Sequence, residues 1–128
     1  MEDSRSNADG EHPLVRVGAA QPLFREISDT ETDKQKLIAD VEAHVEHTAE
    51  MVELAARLGV QIVCLPEDLA AMGNHSLRRE NLPLTRQVLR ETADGLIETF
   101  TRAAARSKIH VVGCAYLPRA TFSTTSLS

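Results

Sequence analysis

The residue with the clearest potential for catalysis is Glu67, because of what precedes it. Residues 60–65 form a short apolar run, and Pro66-Glu67-Asp68 follows directly. An apolar run bounded by Gly59 and a proline predicts a buried β-strand. A carboxylate at the end of such a strand is held on a rigid element over the edge of the sheet, where partial burial suits it to general-base catalysis. Position alone, however, favours an ordinary loop carboxylate or a charge at a helix start.

The two cysteines, Cys64 and Cys114, both lie within apolar runs. This setting predicts a pair of buried, reduced thiols in a cytoplasmic protein. A disulfide requires close Cα atoms, which the sequence does not show. The chain has no paired Cys or Cys/His spacing of the kind that binds zinc.

The histidines offer weaker candidates. His44 and His47 are three apart on a predicted helix among glutamates, a spacing that a metal site could use, but a solvated helix flank is the simpler interpretation. His75 lies in a loop near the strand that ends before Glu67 and could line a pocket, although an idle loop histidine is the simpler interpretation. His110 alternates with apolar residues and is expected in the core or on a sheet face.

Hydrophobic periodicity organises these residues into β-strands and α-helices in the order βαβαβ. Helix residues recur at three- and four-residue steps over Asp33–Leu58, with Thr32 or Asp33 as N-cap and Gly59 as C-terminal cap. The predicted elements are a leader at 1–13, strands at 14–20, 60–65 and 108–116, helices at 33–58, 85–91 and 93–106, and a Ser/Thr-rich tail at 121–128 that could begin a fourth strand. The strands are apolar on both sides, so helices or a second sheet are expected over each face.

Composition limits the function classes. The chain has 128 residues, which suits one domain, and a net charge of −5. This charge argues against a nucleic acid or an anionic membrane as the main partner. The sequence contains no apolar run long enough to span a membrane, no secretory signal at its start, and no phosphate-binding glycine motif.

Three stretches of the chain together resemble the start of the nitrilase superfamily, the carbon–nitrogen hydrolases. The first is Val15–Gln21, which ends in Ala-Ala-Gln. The second is the end of the long helix followed by a strand that closes in Leu65-Pro66-Glu67, and the third is Ala105–Gly113. A strand ending in Leu-Pro-Glu at this distance from Ala-x-Gln is fairly specific, whereas a lone Pro-Glu would be weak.

The resemblance implies an α/β fold, the N-terminal part of a nitrilase-like αββα sandwich, over residues 14–128. It implies hydrolysis of amides or nitriles by a Glu-Lys-Cys mechanism without cofactor or metal, with Glu67 as general base. It also implies a homo-oligomer, while the exclusion of a nucleic-acid or membrane partner rests on the net charge. The family's Lys and Cys follow the strand after the tail. Lys108, Cys64 and Cys114 do not match them, so the domain is expected to be truncated and this chain alone inactive.

Two other classes remain open. The chain could be a catalytically incomplete α/β binding or interaction module, with a partner covering its open sheet. It could also be a small doubly wound domain of unrelated function in which Pro66-Glu67 is a coincidence. Glu67 pointing away from any pocket would count against the hydrolase, and a sheet covered by helices on both faces would favour the unrelated domain.

Overall fold

The computed structural model describes residues 14–22 and 27–115. These residues form three strands, β1 (Val17–Ala19), β2 (Ile62–Cys64) and β3 (His110–Val112). They also form the helices α1 (Lys34–Arg57), α2 (Gly73–Ser76) and α3 (Leu82–Ser107), with a 3-10 turn at Arg79–Asn81. The predicted leader at 1–13 and the tail at 121–128 lie outside the described residues.

The strands form one parallel sheet in the order β1-β2-β3, so the chain is an α/β protein. Each strand is shorter than the apolar run that predicted it. Backbone pairing nevertheless extends beyond the strand bounds, since Ala20 N–H donates to the Cys64 carbonyl at 2.9 Å and the Arg16 carbonyl accepts from Gln61 N at 2.9 Å. The apolar runs therefore mark the paired backbone, while the regular ladder occupies only its centre.

Both long helices pack on the same face of the sheet. Each pair of neighbouring parallel strands is joined by a crossover, and such crossovers are right-handed. Because the strand order β1-β2-β3 proceeds across the sheet in one direction, both crossover helices lie on the same face. Val63 and Val111 point to that side and are buried. The helices cover them with fully buried side chains, among them Leu37, Val41, Val52, Val88 and Phe100.

Helix α1 begins and ends as the sequence predicts. The Asp33 carboxylate accepts hydrogen bonds from Gln35 N at 3.0 Å and Lys36 N at 3.4 Å, which satisfies two amides of the first turn. At the other end Gly59 has a φ of +84°, and Val60 N–H bonds back to the Ala55 carbonyl. This is a Schellman ending, which turns the chain directly into β2.

Helix α3 is one continuous helix, so the prediction of two separate stretches at 85–91 and 93–106 is wrong. Thr92, at the predicted break, lies within the helix, where its hydroxyl donates to the Val88 carbonyl at 2.9 Å, and Gly95 also lies within the helix. The helix ends at Lys108, whose φ of 57° places a non-glycine residue in the left-handed region.

The second face of the sheet has no covering layer in the described part of the chain, contrary to the expectation that both faces are covered. Val17 is 63% exposed and Val112 is 42% exposed. The register aligns Val17 with Ile62 and His110, and Ala19 with Cys64 and Val112, so these six residues share one side. We call them the open face. It contains no Asp, Glu, Lys or Arg.

Candidate active site

Glu67 follows β2 at the carboxyl edge of the sheet. Leu65 N–H still donates to the Val112 carbonyl at 2.8 Å, so the backbone pairing fixes the chain until two residues before Glu67. Pro66 then ends the ladder because it has no N–H. Glu67 is exposed, so the partial burial expected of it is not found, but it lines a cavity at the edge of the sheet where ligands of α/β proteins bind.

The segment after Glu67 is held by Asp68. Its carboxylate accepts from Gly73 N at 2.8 Å and from Met72 N at 3.3 Å. A Cβ at Gly73 would lie 2.8 Å from Asp68 Oδ2, so a side chain at this position would displace the Asp68 carboxylate from its hydrogen bonds. Leu69 and Met72 are buried beneath it. The loop next to Glu67 is therefore held by backbone hydrogen bonds to the Asp68 carboxylate and by the burial of Leu69 and Met72.

His75 is a buried connector and does not line the cavity. It is 0% exposed, with Nε2 2.9 Å from the Glu31 carbonyl and Nδ1 2.7 Å from Thr85 Oγ1. Because a carbonyl only accepts, Nε2 carries the proton, and in the neutral ring Nδ1 accepts from the Thr85 hydroxyl. Asn81 supports the same junction by donating to the Asp29 and His75 carbonyls at 2.7 and 2.9 Å. The idle loop histidine expected from the sequence is in fact a tertiary link.

The cavity beside Glu67 has a volume of about 260 Å³ and lies between the loop after β2 and helix α3. Glu67, Asp68 and Arg86 supply its charged groups. Its apolar lining includes Leu69, Met72, Leu89, Ala93 and Leu96. A small apolar cavity with a few charged groups at one side is typical of a small-molecule site.

Arg86 is the basic residue of this site. From the sequence, Arg78, Arg79, Arg86 and Arg90 could form a basic patch for an acidic substrate or partner, but a solvated face balanced by Glu80 and Glu91 is the simpler interpretation. That description fits Arg78, where the hydrogen bond from Nε to Asp29 at 2.9 Å raises the pKa of the guanidinium. Arg86 instead lies four residues after Leu82 and three before Leu89, on the helix side that lines the cavity. That spacing was the available signal.

The cysteines are not buried, so the prediction of buried thiols is wrong. Cys64 and Cys114 are both exposed free thiols. Cys64 points to the open face because alternation puts it opposite to Val63, and nothing among the described residues covers that face. Neither cysteine is among the residues that line the cavity with Glu67.

Lys108 lies at the other edge of the sheet. It caps the end of α3 immediately before β3, whereas Glu67 follows the end of the parallel strand β2. The two residues therefore flank opposite ends of the strands, and Lys108 does not join Glu67 in a site. This position is that of an ordinary residue in the turn from helix to strand, and the sequence analysis does not match Lys108 to the family's lysine.

The two helix histidines do not form a metal site with their neighbours. His44 is 2% exposed, so its placement on a solvated flank is wrong, because this turn of α1 packs into the core beside Val45 and Thr48. His47 is half-buried. Over residues 14–22 and 27–115, no group of three or more His, Cys, Asp or Glu side chains could hold a metal ion. His110 is exposed on the sheet face, one of its two predicted settings.

Comparison of the chain with family models, with curated proteins and with solved structures finds no match. The resemblance to the nitrilase superfamily therefore depends on the residues quoted above. Within the described part of the chain, no helix is both long and apolar enough to cross a membrane.

Proposed function

We propose that this chain carries the general-base part of a carbon–nitrogen hydrolase site that acts on amides or nitriles. The observation that carries the proposal is the placement of Glu67, which follows the central strand of a parallel sheet at its carboxyl edge and lines a small cavity. Ligands of open α/β sheets bind at this edge. The anchored loop from Asp68 to Gly73 fixes the neighbourhood of the carboxylate.

In the proposed reaction on an amide, Glu67 accepts the proton of a cysteine thiol as the sulfur attacks the carbonyl carbon. The oxyanion of the tetrahedral intermediate is stabilised by a lysine cation. Collapse of the intermediate breaks the carbon–nitrogen bond, the amine leaves with a proton, and a thioester remains. Water, activated by the same carboxylate, then releases the acid. The nitrilase resemblance implies that this cysteine and lysine lie outside the 128-residue sequence.

The open face is consistent with this proposal. A nitrilase-like αββα sandwich has two sheets packed face to face with helices outside, so half of it would have helices on one face of its sheet and an apolar second face. In this chain α1 and α3 cover one face, while Val17, Ile62 and Val112 lie on the other. A second copy of the chain or a further segment of the protein would supply the missing layer.

The open face also favours a second candidate function, that of a catalytically incomplete interaction module. Apolar residues exposed on a sheet mark surfaces that bind other proteins. In that case the partner covers the open face and Glu67 has no chemical role. The two candidates differ in whether the Glu67 carboxylate is needed for turnover.

The test measures ammonia release from a panel of aliphatic amides and nitriles by the longest chain that the gene encodes. We expect Glu67→Gln to lower kcat/KM by about 100-fold or more, because the amide cannot take the thiol proton. Glu80→Gln removes another exposed carboxylate, one that does not line the cavity, and should leave the rate unchanged. An equal rate for Glu67→Gln and the unaltered chain, or no ammonia release from any member of the panel, would contradict the hydrolase and leave the interaction module.

A further inference from the structure

We propose that the cavity beside Glu67 selects a substrate with a short hydrocarbon chain and a carboxylate, and that Arg86 binds this carboxylate. The substrate class is then a short aliphatic amide that also carries an acid group. The amide half of this statement rests on the proposed function. The anion subsite rests on the cavity and on Arg86, so it can be tested separately.

The size of the cavity limits the ligand. Its volume of about 260 Å³ falls below the roughly 300–1,000 Å³ of pockets that hold drug-sized molecules. Its lining includes the buried side chains Leu69, Met72, Ala93 and Leu96, so most of what a ligand meets is hydrocarbon. A chain of a few methylene groups fits both the volume and the apolar character.

Several arginines of the long helices and of the segment before α3 already have acidic partners. Arg78 pairs with Asp29 at 2.9 Å, Arg102 with Glu98 at 2.7 Å and Arg106 with Glu53 at 3.1 Å. Among the described residues Arg86, like Arg57 and Arg90, has no ion pair, but of these three only Arg86 lines the cavity. A guanidinium without an acidic partner beside an apolar cavity is suited to a carboxylate ligand.

The remaining charges of the cavity indicate how such a ligand is oriented. The Asp68 carboxylate is already engaged by the amides of Met72 and Gly73, whereas Glu67 repels a second carboxylate. The first turn of α3 contains no acidic residue. The ligand's carboxylate therefore lies on the α3 side with Arg86, and its uncharged amide lies on the side of Glu67.

The test uses the 128-residue chain and measures binding of butanoate, hexanoate and hexanamide by titration calorimetry. Two further methylene groups should make hexanoate bind about 15-fold more tightly than butanoate. Arg86→Gln should weaken hexanoate about fivefold, the loss expected for an exposed ion pair, and leave hexanamide unchanged. Arg90→Gln, one turn further along the same helix, removes another exposed arginine that does not line the cavity, so it is the matched control and should bind hexanoate normally.

The outcomes separate this inference from the proposed function. Absence of hexanoate binding, equal binding of hexanoate and hexanamide, or equal losses in Arg86→Gln and Arg90→Gln would overturn the anion subsite. Glu67→Gln should retain hexanoate binding, because that variant removes a repelling charge and leaves Arg86 in place. Hexanoate binding by the 128-residue chain, without amide hydrolysis by the longest chain that the gene encodes, would overturn the hydrolase alone. Hydrolysis by that longest chain without hexanoate binding would overturn the subsite alone. Unfolding curves of each variant exclude loss of the fold as the cause.

Discussion

Val63 and Cys64 are neighbours in the central strand, yet Val63 is 1% exposed and Cys64 is exposed. The first points to the face that α1 and α3 cover, and the second points to the open face. Both residues come from the same apolar run, and the strand residues on both faces of the sheet are largely apolar. The difference therefore arises from what packs over each face and has no counterpart in the local sequence.

The comparison indicates which face of the sheet stabilises the chain and which face is available for binding. The covered face joins the sheet to the long helices and contains the fully buried valines of β2 and β3. The open face contributes backbone pairing but little side-chain burial. A layer that packs on it would bury residues that the helices leave exposed, without disturbing the core.

The largest expected change in the free energy of unfolding comes from placing an aspartate at Val63, and the same substitution at the neighbouring Cys64 is its control. Val63→Asp places an unpaired carboxylate in the core and should lower the free energy of unfolding by more than about 3 kcal/mol. A domain of this size has about 5–15 kcal/mol in total, so this loss is measurable by urea unfolding and large enough to leave some of the chain unfolded.

Cys64→Asp is the matched control, because it introduces the same side chain with the same unfavourable strand propensity. On the open face it should change the free energy of unfolding of the 128-residue chain by less than about 1 kcal/mol. Similar losses from Val63→Asp and Cys64→Asp would contradict the assignment of the two faces.

A smaller effect is expected at the two turns that lead from a helix back to the sheet. Gly59, with φ +84°, follows α1, while Lys108, with φ +57°, follows α3. Gly59→Ala should cost about 1 kcal/mol, because an L side chain is strained in the left-handed region. Lys108→Gly should stay within about 0.5 kcal/mol, because relief of strain is offset by the greater entropy of glycine in the unfolded chain. Urea unfolding of the two variants measures both values, and a larger loss from Lys108→Gly would contradict this account of the turns.

The sequence predicts best those features that depend on neighbouring residues. The Asp33 cap, the Gly59 ending and the end of strand pairing before Pro66 follow from local chemistry, and the structure confirms each of them. The position of Glu67 after a strand belongs to the same group, since the strand and its end are both local.

The features that the sequence did not predict depend on distant parts of the chain. The link from His75 to Thr85 and the Glu31 carbonyl joins residues far apart in sequence. The exposure of Cys64 depends on which face of the sheet α1 and α3 pack against. The role of Arg86 depends on a cavity that exists only once α3 packs beside the loop after β2. The pattern of residue types along the chain contains none of this information about tertiary packing.

The open face is the premise of the proposed sandwich, and the thiol of Cys64 reports on it directly. The measurement is the rate of reaction of Cys64 with an aromatic disulfide reagent in the Cys114→Ser chain, compared in native buffer and in denaturant. We expect the native rate to lie within about tenfold of the unfolded rate, because an exposed thiol needs no opening of the structure. A native rate lower by about 100-fold or more, in chain that analytical ultracentrifugation shows to be monomeric, would show that Cys64 is covered within this chain, and would contradict the open face.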